Sequence, residues 1–229
     1  MATRPLLLGH RGARSEKSPP ENTFAAFDFA LASGCDGFEF DVRLAADGEA
    51  VVCHDAVSCH LRISRSRAQL LGLPSLREVL ARYQNSAFLD IELKVAGLEE
   101  ITLQLLSEFP PARGFLVSSF LPRVLERIRT LDAELPLGLI CESQSQLRRW
   151  PRSQVQYVIP HYKLMNRRLM SKLRTAGKKV FVWTVNAPAA MRRTSRMLVG
   201  GVISDNPKRL ALILGLPGSS DKANENPAK

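Results

Sequence analysis

Residues 37–55 read GFEFDVRLAADGEAVVCHD. In the first six, Phe38, Phe40 and Val42 fall on one face of a strand and Glu39 and Asp41 on the other. The apolar face suits contact with helices. Two carboxylates side by side on the inner face need protons, a basic partner or a metal to offset their repulsion. AADG at 45–48 carries a hairpin-type turn signal at Asp47-Gly48. The strand is therefore expected to double back through EAVVCHD (49–55), bringing His54 near Asp41.

The same alternation recurs at 87–94, where Asp90, Glu92 and Lys94 alternate with Leu89, Ile91 and Leu93. Apolar strand-like runs stand at 6–9, 37–42, 87–93, 114–120, 135–140, 155–160, 179–185 and 201–204. Helix-like segments separate them. One follows Ser75, a good N-cap, and another stops at Gly34. Eight β-then-α units predict an α/β fold, a single-domain (β/α)8 TIM barrel with its chemistry at the C-terminal ends of the strands. A doubly wound open sheet would gather its polar strand ends near one switch point, whereas here they are spread along the chain. The barrel is assigned to residues 1–216, and the polar stretch 217–229 is read as a disordered tail.

The chain has 229 residues, 45% hydrophobic and 24% charged, enough for one sizeable core. No apolar run approaches the ~20 residues of a membrane helix. The apolar run near the N-terminus is shorter than the ~7–15 residues of a secretory signal, so a cytoplasmic location is expected. Cys35, Cys53, Cys59 and Cys141 show no CxxC pair, which favours reduced thiols. The net charge is +10, and residues 143–204 hold 13 Lys/Arg and no acid. Such a block suits either a phosphate-rich surface or solvated helix faces.

An all-oxygen cluster of Glu39, Asp41 and Glu92 suits a hard cation, Mg²⁺ or Ca²⁺. An internal ion pair of Glu92 with Lys94 or Arg11 accounts for the same spacing. His10 and His54 stand at strand ends beside the acids, and an ordinary imidazole pKa of ~6.5 lets a pair exchange protons near neutrality. Arg11 offers a fork matched to phosphate oxygens. The glycines of GHRG (9–12) let backbone pass close to a ligand. His60 is read as a solvated loop residue, and His161 as ending the sixth strand.

In order, His-Arg, Glu-x-Asp, His-Asp and Glu-x-Lys, together with LPSLREVL, LVSSF, VFVWTVN and GVISDNP, resemble the glycerophosphodiester phosphodiesterase family over residues ~6–210. The resemblance implies hydrolysis of glycerophosphodiesters to sn-glycerol 3-phosphate and an alcohol. It implies His10 and His54 as the acid–base pair and Glu39, Asp41 and Glu92 as ligands of a divalent cation. Arg11 and Lys94 become phosphate contacts, and Trp183 walls the alcohol side or packs in the core. Asn22 orders a loop beside the site or caps the first helix, and Asp55 orients His54 or ends the hairpin. The nucleophile is either the neighbouring glycerol hydroxyl, through a cyclic phosphate, or water.

The chain departs from the family pattern between Asp55 and Pro74, where 18 residues stand in place of a longer cap insertion. A shortened cap after the second strand implies a more open mouth and looser selection of the alcohol. Two other readings compete: lysophospholipase D-type hydrolysis of lysophospholipids, and non-catalytic anion binding on the same barrel. The expected partner is a small-molecule glycerophosphodiester. An anionic membrane surface is a second candidate, and no nucleic acid is expected.

Overall fold

The structure, a computed structural model, describes residues 4–15, 19–58 and 60–215. Its strands in chain order are β1 (Leu6–His10), β2 (Gly37–Leu44), β3 (Ala50–Val52), β4 (Val57–Ser58), β5 (Leu61–Arg62), β6 (Phe88–Leu93), β7 (Phe115–Ser119), β8 (Leu137–Cys141), β9 (Tyr157–Pro160), β10 (Lys179–Val182) and β11 (Gly201–Ser204). β1 pairs in parallel with β2 on one side and with β11 on the other. That closes a ring in the order β1-β2-β6-β7-β8-β9-β10-β11. Each of its eight strands overlaps one of the eight runs expected from the sequence. β3 lies antiparallel against β2, with Arg43 opposite Val51, so the expected hairpin forms. Gly48 takes φ +84 at its turn, a conformation that costs glycine little.

The helices are α1 (Phe24–Ala32), α2 (Ala68–Leu71), α3 (Leu76–Tyr83), α4 (Glu99–Glu108), α5 (Pro122–Leu131), α6 (Gln144–Leu147), α7 (Arg167–Thr175), α8 (Pro188–Ser195) and α9 (Pro207–Leu214). Ser75 caps α3 in a reciprocal box with Glu78. Thr23, rather than Asn22, caps α1, accepting from the Ala26 N–H.

Outward strand residues pack under these helices. Phe27 of α1 stacks on Phe38 at 4.2 Å, and Tyr83 of α3 meets Phe38 edge-on at 5.0 Å. Burying a side chain of this size stabilises the fold by about 1.5–3 kcal/mol. Truncation of Phe38 to Ala should cost about 3–5 kcal/mol.

Inside the ring, Leu8, Phe88, Leu116, Ile140, Tyr157, Ile159, Phe181 and Ile203 form a buried hydrophobic plug. Inward positions recur every second residue. The next one up is His10 after Leu8, Asp90 after Phe88, Ser118 after Leu116 and Asp205 after Ile203. The plug is therefore a floor, with polar groups standing on it at the C-terminal ends of the strands.

The short insertion, residues 56–73, holds the β4–β5 hairpin, a 3-10 turn (Ile63–Arg65) and α2. Ile63 and Leu71 bury against Ala45 and Val51 of the β2–β3 hairpin. The Ala46 N–H donates to the Ser66 carbonyl at 3.0 Å. Among the described residues no helix is long and apolar enough to cross a membrane. Cys35, Cys53 and Cys141 carry free thiols. Cys59 and the tail expected at 217–229 lie outside the described residues.

Candidate active site

The parallel register sets the site. His10 stands level with Glu39, Glu39 with Asp90, and Asp41 with Glu92. Three neighbouring strands thus crowd four carboxylates and one imidazole onto a single inner face. An oxygen from each of Glu39, Asp41 and Glu92 lies within 4.8 Å of the others.

Basic groups offset only part of this charge. Lys94 Nζ sits 2.7 Å from Glu92 Oε1 and 3.3 Å from Asp41 Oδ1. Arg11 Nε lies 3.2 Å from Asp41 Oδ2 and its Nη1 2.7 Å from Glu21 Oε1. The Asn22 side chain donates to Asp41 Oδ2 at 2.9 Å. Asn22 therefore tethers a metal-candidate carboxylate and does not cap α1, because Thr23 takes the cap. Burial pushes the Asp41 carboxyl up, but Lys94, Arg11 and Asn22 outweigh it and hold it below its ordinary value.

The other acids lack such support. Burial, then repulsion from Asp41 and Glu92, pushes Glu39 well above the usual range. Burial and Asp41 raise Glu92 to about 7 despite Lys94. Asp90 is raised to about 7 by burial, although Ser118 Oγ donates to it at 2.6 Å.

Glu39 Oε1 and Asp41 Oδ1 are buried and accept no hydrogen bond among the described residues. Lys94 approaches Asp41 Oδ1 as a charge without donating to it. Three carboxylates with an oxygen each within 4.8 Å of the others, two of them with an orphaned acceptor, in an all-oxygen set carrying more acid than base, fit a hard cation with ligand distances of about 2.0–2.6 Å. Both sequence readings of the cluster are present together: the acids converge, and Lys94 and Arg11 pair with them.

The loop after β1 is bent to serve this cluster. Arg11 takes φ +51, and its N–H donates to Glu39 Oε2 at 3.0 Å. A Cβ on Gly9 would fall 2.0 Å from the Gly12 carbonyl oxygen, and one on Gly12 2.6 Å from the Ala26 backbone. The GHRG glycines thus let the chain pass close to itself and to α1, where the sequence suggested an approach to ligand.

The two imidazoles are held differently. His10 Nδ1 is bonded to Asp205 Oδ1 at 2.6 Å, which leaves Nε2 toward Glu39 at 3.7 Å. Asp205 is itself fixed by Asn186, whose side chain donates to it at 2.6 Å. His54 Nδ1 meets Asp55 Oδ1 at 2.7 Å, and Arg43 Nε donates to the His54 carbonyl at 2.7 Å. Burial lowers the His54 pKa, with Asp55 opposing. The Cys53 N–H bonds the Asp41 carbonyl at 3.0 Å, so the hairpin carries His54 to the cluster. Asp205 received no role from sequence. It lies in GVISDNP but meets a residue 195 positions away, and only barrel closure joins them.

A cavity of about 290 Å³ opens over the cluster. His10, Arg11, Glu39, His54, Glu92 and Lys94 line one side, and Phe120, Ile140, Glu142, Ile159 and Trp183 the other. Trp183 Nε1 donates to the Ile159 carbonyl at 3.0 Å, and its ring meets Phe120 edge-on at 5.4 Å. Trp183 is thus both packed and cavity-lining. His161 packs edge-on against Trp183, and His60 is exposed.

A closed barrel with acids, cations and two oriented imidazoles over an apolar floor defines an enzyme class suited to acid–base chemistry on an anionic substrate. Residues 10–75 and 73–209 match the Glycerophosphoryl diester phosphodiesterase family, and the chain belongs to that family. It is accordingly a phosphodiesterase, a phosphoric diester hydrolase. It is 31% identical over 237 residues to YhdW of Bacillus subtilis (strain 168), covering 88% of this chain and 94% of that one. A glycerophosphodiester phosphodiesterase of Caldanaerobacter subterraneus subsp. tengcongensis is 29% identical over 234 residues, covering 90% and 96%. Among solved structures, an Oleispira antarctica phosphodiesterase in complex with the product sn-glycerol-3-phosphate superposes with a TM-score of 0.81 at 24% identity, over 93% of this chain and 98% of that one.

Proposed function

We propose that the protein hydrolyses glycerophosphodiesters to sn-glycerol 3-phosphate and an alcohol, with a divalent cation, Mg²⁺ or Ca²⁺, at Glu39, Asp41 and Glu92. The observation that carries this reading is the set of three converging carboxylates, two of them with an oxygen left without a donor, flanked by His10 and His54 over one cavity. The product bound in the Oleispira antarctica relative supports the substrate class. When bound, such a cation supplies positive charge against the phosphoryl oxygens.

The chain's own groups divide the remaining work. Arg11, buried, and Lys94, partly buried, present donors to the phosphoryl oxygens and offset the charge that builds there. Asp205 fixes His10 through Nδ1, so Nε2 is the nitrogen offered to the cavity. His54 Nδ1 is bonded to the adjacent, exposed Asp55. One imidazole takes the nucleophile's proton, and the other donates to the leaving alkoxide oxygen. The lowered pKa of His54 suits it to the accepting role. Phe120 and Trp183 exclude water and shape the opposite wall.

The test is turnover of glycerophosphocholine with Mg²⁺ or Ca²⁺, with and without EDTA, and with His54→Ala. The expected result is cation-dependent release of sn-glycerol 3-phosphate, abolished by EDTA and restored by added cation, and a folded but inactive variant. Undiminished turnover in EDTA, or in His54→Ala, contradicts the reading.

A further inference from the structure

We propose that the cap at residues 56–73 is a docking surface that sets the barrel mouth against an anionic lipid surface. Six large apolar side chains are exposed among the described residues. Three of them lie in this one short segment: Val57 at 46%, Leu61 at 37% and Leu70 at 70%. They are interleaved with Arg62, Arg65 and Arg67, all exposed, and residues 56–73 contain no acid to neutralise them.

The segment has already satisfied its own packing. Ile63 and Leu71 turn inward onto Ala45 and Val51, so Leu61 and Leu70 are left outside by design of the fold and not for want of a core. Apolar side chains interleaved with guanidiniums match the boundary between headgroups and acyl chains of an anionic bilayer. A soluble anion would reward the arginines but not the leucines. A second apolar protein surface would reward the leucines but not an unbalanced positive charge.

Position gives the patch a consequence. The cap starts two residues after His54, and the Ile63 N–H donates to the Ala56 carbonyl at 3.0 Å, stapling it to the chain that carries the imidazole. Docking through the cap places the cavity beside the lipid phase. The rival cationic face, Arg167 with Arg192, Arg193 and Arg196, has one exposed large apolar residue in its reach of chain, Leu198. Charge with so little apolar surface suits anions in solution and not insertion among acyl chains.

The inference goes beyond the proposed cleavage and is tested without it. The full chain is co-sedimented with vesicles of phosphatidylcholine containing about a third phosphatidylglycerol. Binding is expected there, and roughly tenfold weaker on pure phosphatidylcholine or in about 0.5 M salt. Leu61→Ser with Leu70→Ser, and separately Arg62→Ser with Arg65→Ser and Arg67→Ser, should each weaken binding roughly tenfold. Both variants should melt as the wild type does and cleave soluble glycerophosphocholine at its rate. The single Leu70→Ser, at the most exposed site, serves where the pair lowers the melting temperature. No binding by the wild type overturns the proposal. So does loss of binding in Arg192→Ser with Arg193→Ser and Arg196→Ser while the cap variants bind normally. A dimer that the cap variants dissociate, without vesicle binding, overturns it in favour of a second copy of the chain. Absence of diester cleavage with vesicle binding intact would count against the proposed function alone.

Discussion

The two sides of the barrel mouth are built on opposite principles. On the side of β1, β2 and β6, Glu39, Asp41, Asp90 and Glu92 are buried with Arg11 and Lys94 threaded between them. On the side of β7 to β10, Phe120, Ile140, Ile159 and Trp183 pack by ring and methyl contacts. The apolar side obeys the ordinary rule for a barrel interior. The charged side violates it, since buried like charges raise one another's pKa and cost stability. A conflict of this kind, set among the proposed cation ligands, is what a reactive site imposes on a fold. The contrast also separates two kinds of positioning. Charged groups are fixed one by one through directional partners, while the apolar wall is fixed collectively.

The largest effect should come from breaking the charged side. Glu92→Gln leaves the shape and removes one carboxylate, and Asp41→Asn does the same beside it. Each should lower kcat/KM by roughly 10³-fold or more with the fold retained, read by steady-state kinetics and circular dichroism. Equal activity in both would show that the cluster is structural.

Next comes the support behind His10. Asp205→Asn keeps a hydrogen-bonding side chain next to Nδ1 but removes the carboxylate. A loss of roughly 10–100-fold in kcat is expected, with KM little changed and the pH–rate profile displaced. An unchanged pH profile would leave Asp205 a packing residue.

The charged side should also show itself in stability against pH. Asp90 and Glu92 titrate near 7 when folded, against about 4 in the unfolded chain. Between those values the folded protein holds protons that the unfolded chain has released. Their contribution is therefore complete below about pH 4 and is lost as pH rises through about 7. The melting temperature of the cation-free protein should fall across that window. Asp90→Asn, which mimics the protonated form, should flatten the slope. A melting temperature that rises through the window and is unaffected by the substitution would contradict this.

The smallest effect belongs to the apolar wall. Trp183→Ala should raise KM several-fold and alter kcat less, because it removes contact area without touching the proton transfers. A collapse of kcat on the scale of Glu92→Gln would erase the distinction between the two sides.

Much of this was legible in the chain because strand alternation is local. The period of two in 37–42 and 87–94 placed Glu39, Asp41, Asp90, Glu92 and Lys94 on one face, and Asp47-Gly48 carried His54 back toward them. What escaped depends on closure. Asp205 reaches His10 only because β11 pairs with β1. Asn22 reaches Asp41 only because the loop before α1 folds over the mouth, with Asn22 at φ +57. The GHRG glycines were read toward a ligand, whereas the tight approach they permit is to Gly12 and Ala26. The sequence also offered ion pair and cation site as alternatives, and the geometry accommodates both because Lys94 and Arg11 leave two carboxylate oxygens without donors.

The most direct measurement is a crystal structure of the protein soaked with Mn²⁺ and sn-glycerol 3-phosphate, with the cation located by anomalous scattering. The account predicts one ion bonded to an oxygen from each of Glu39, Asp41 and Glu92, and a phosphorus atom lying between the His10 and His54 rings. An ion bound away from these three carboxylates, or a phosphate seated outside the reach of both imidazoles, would contradict it.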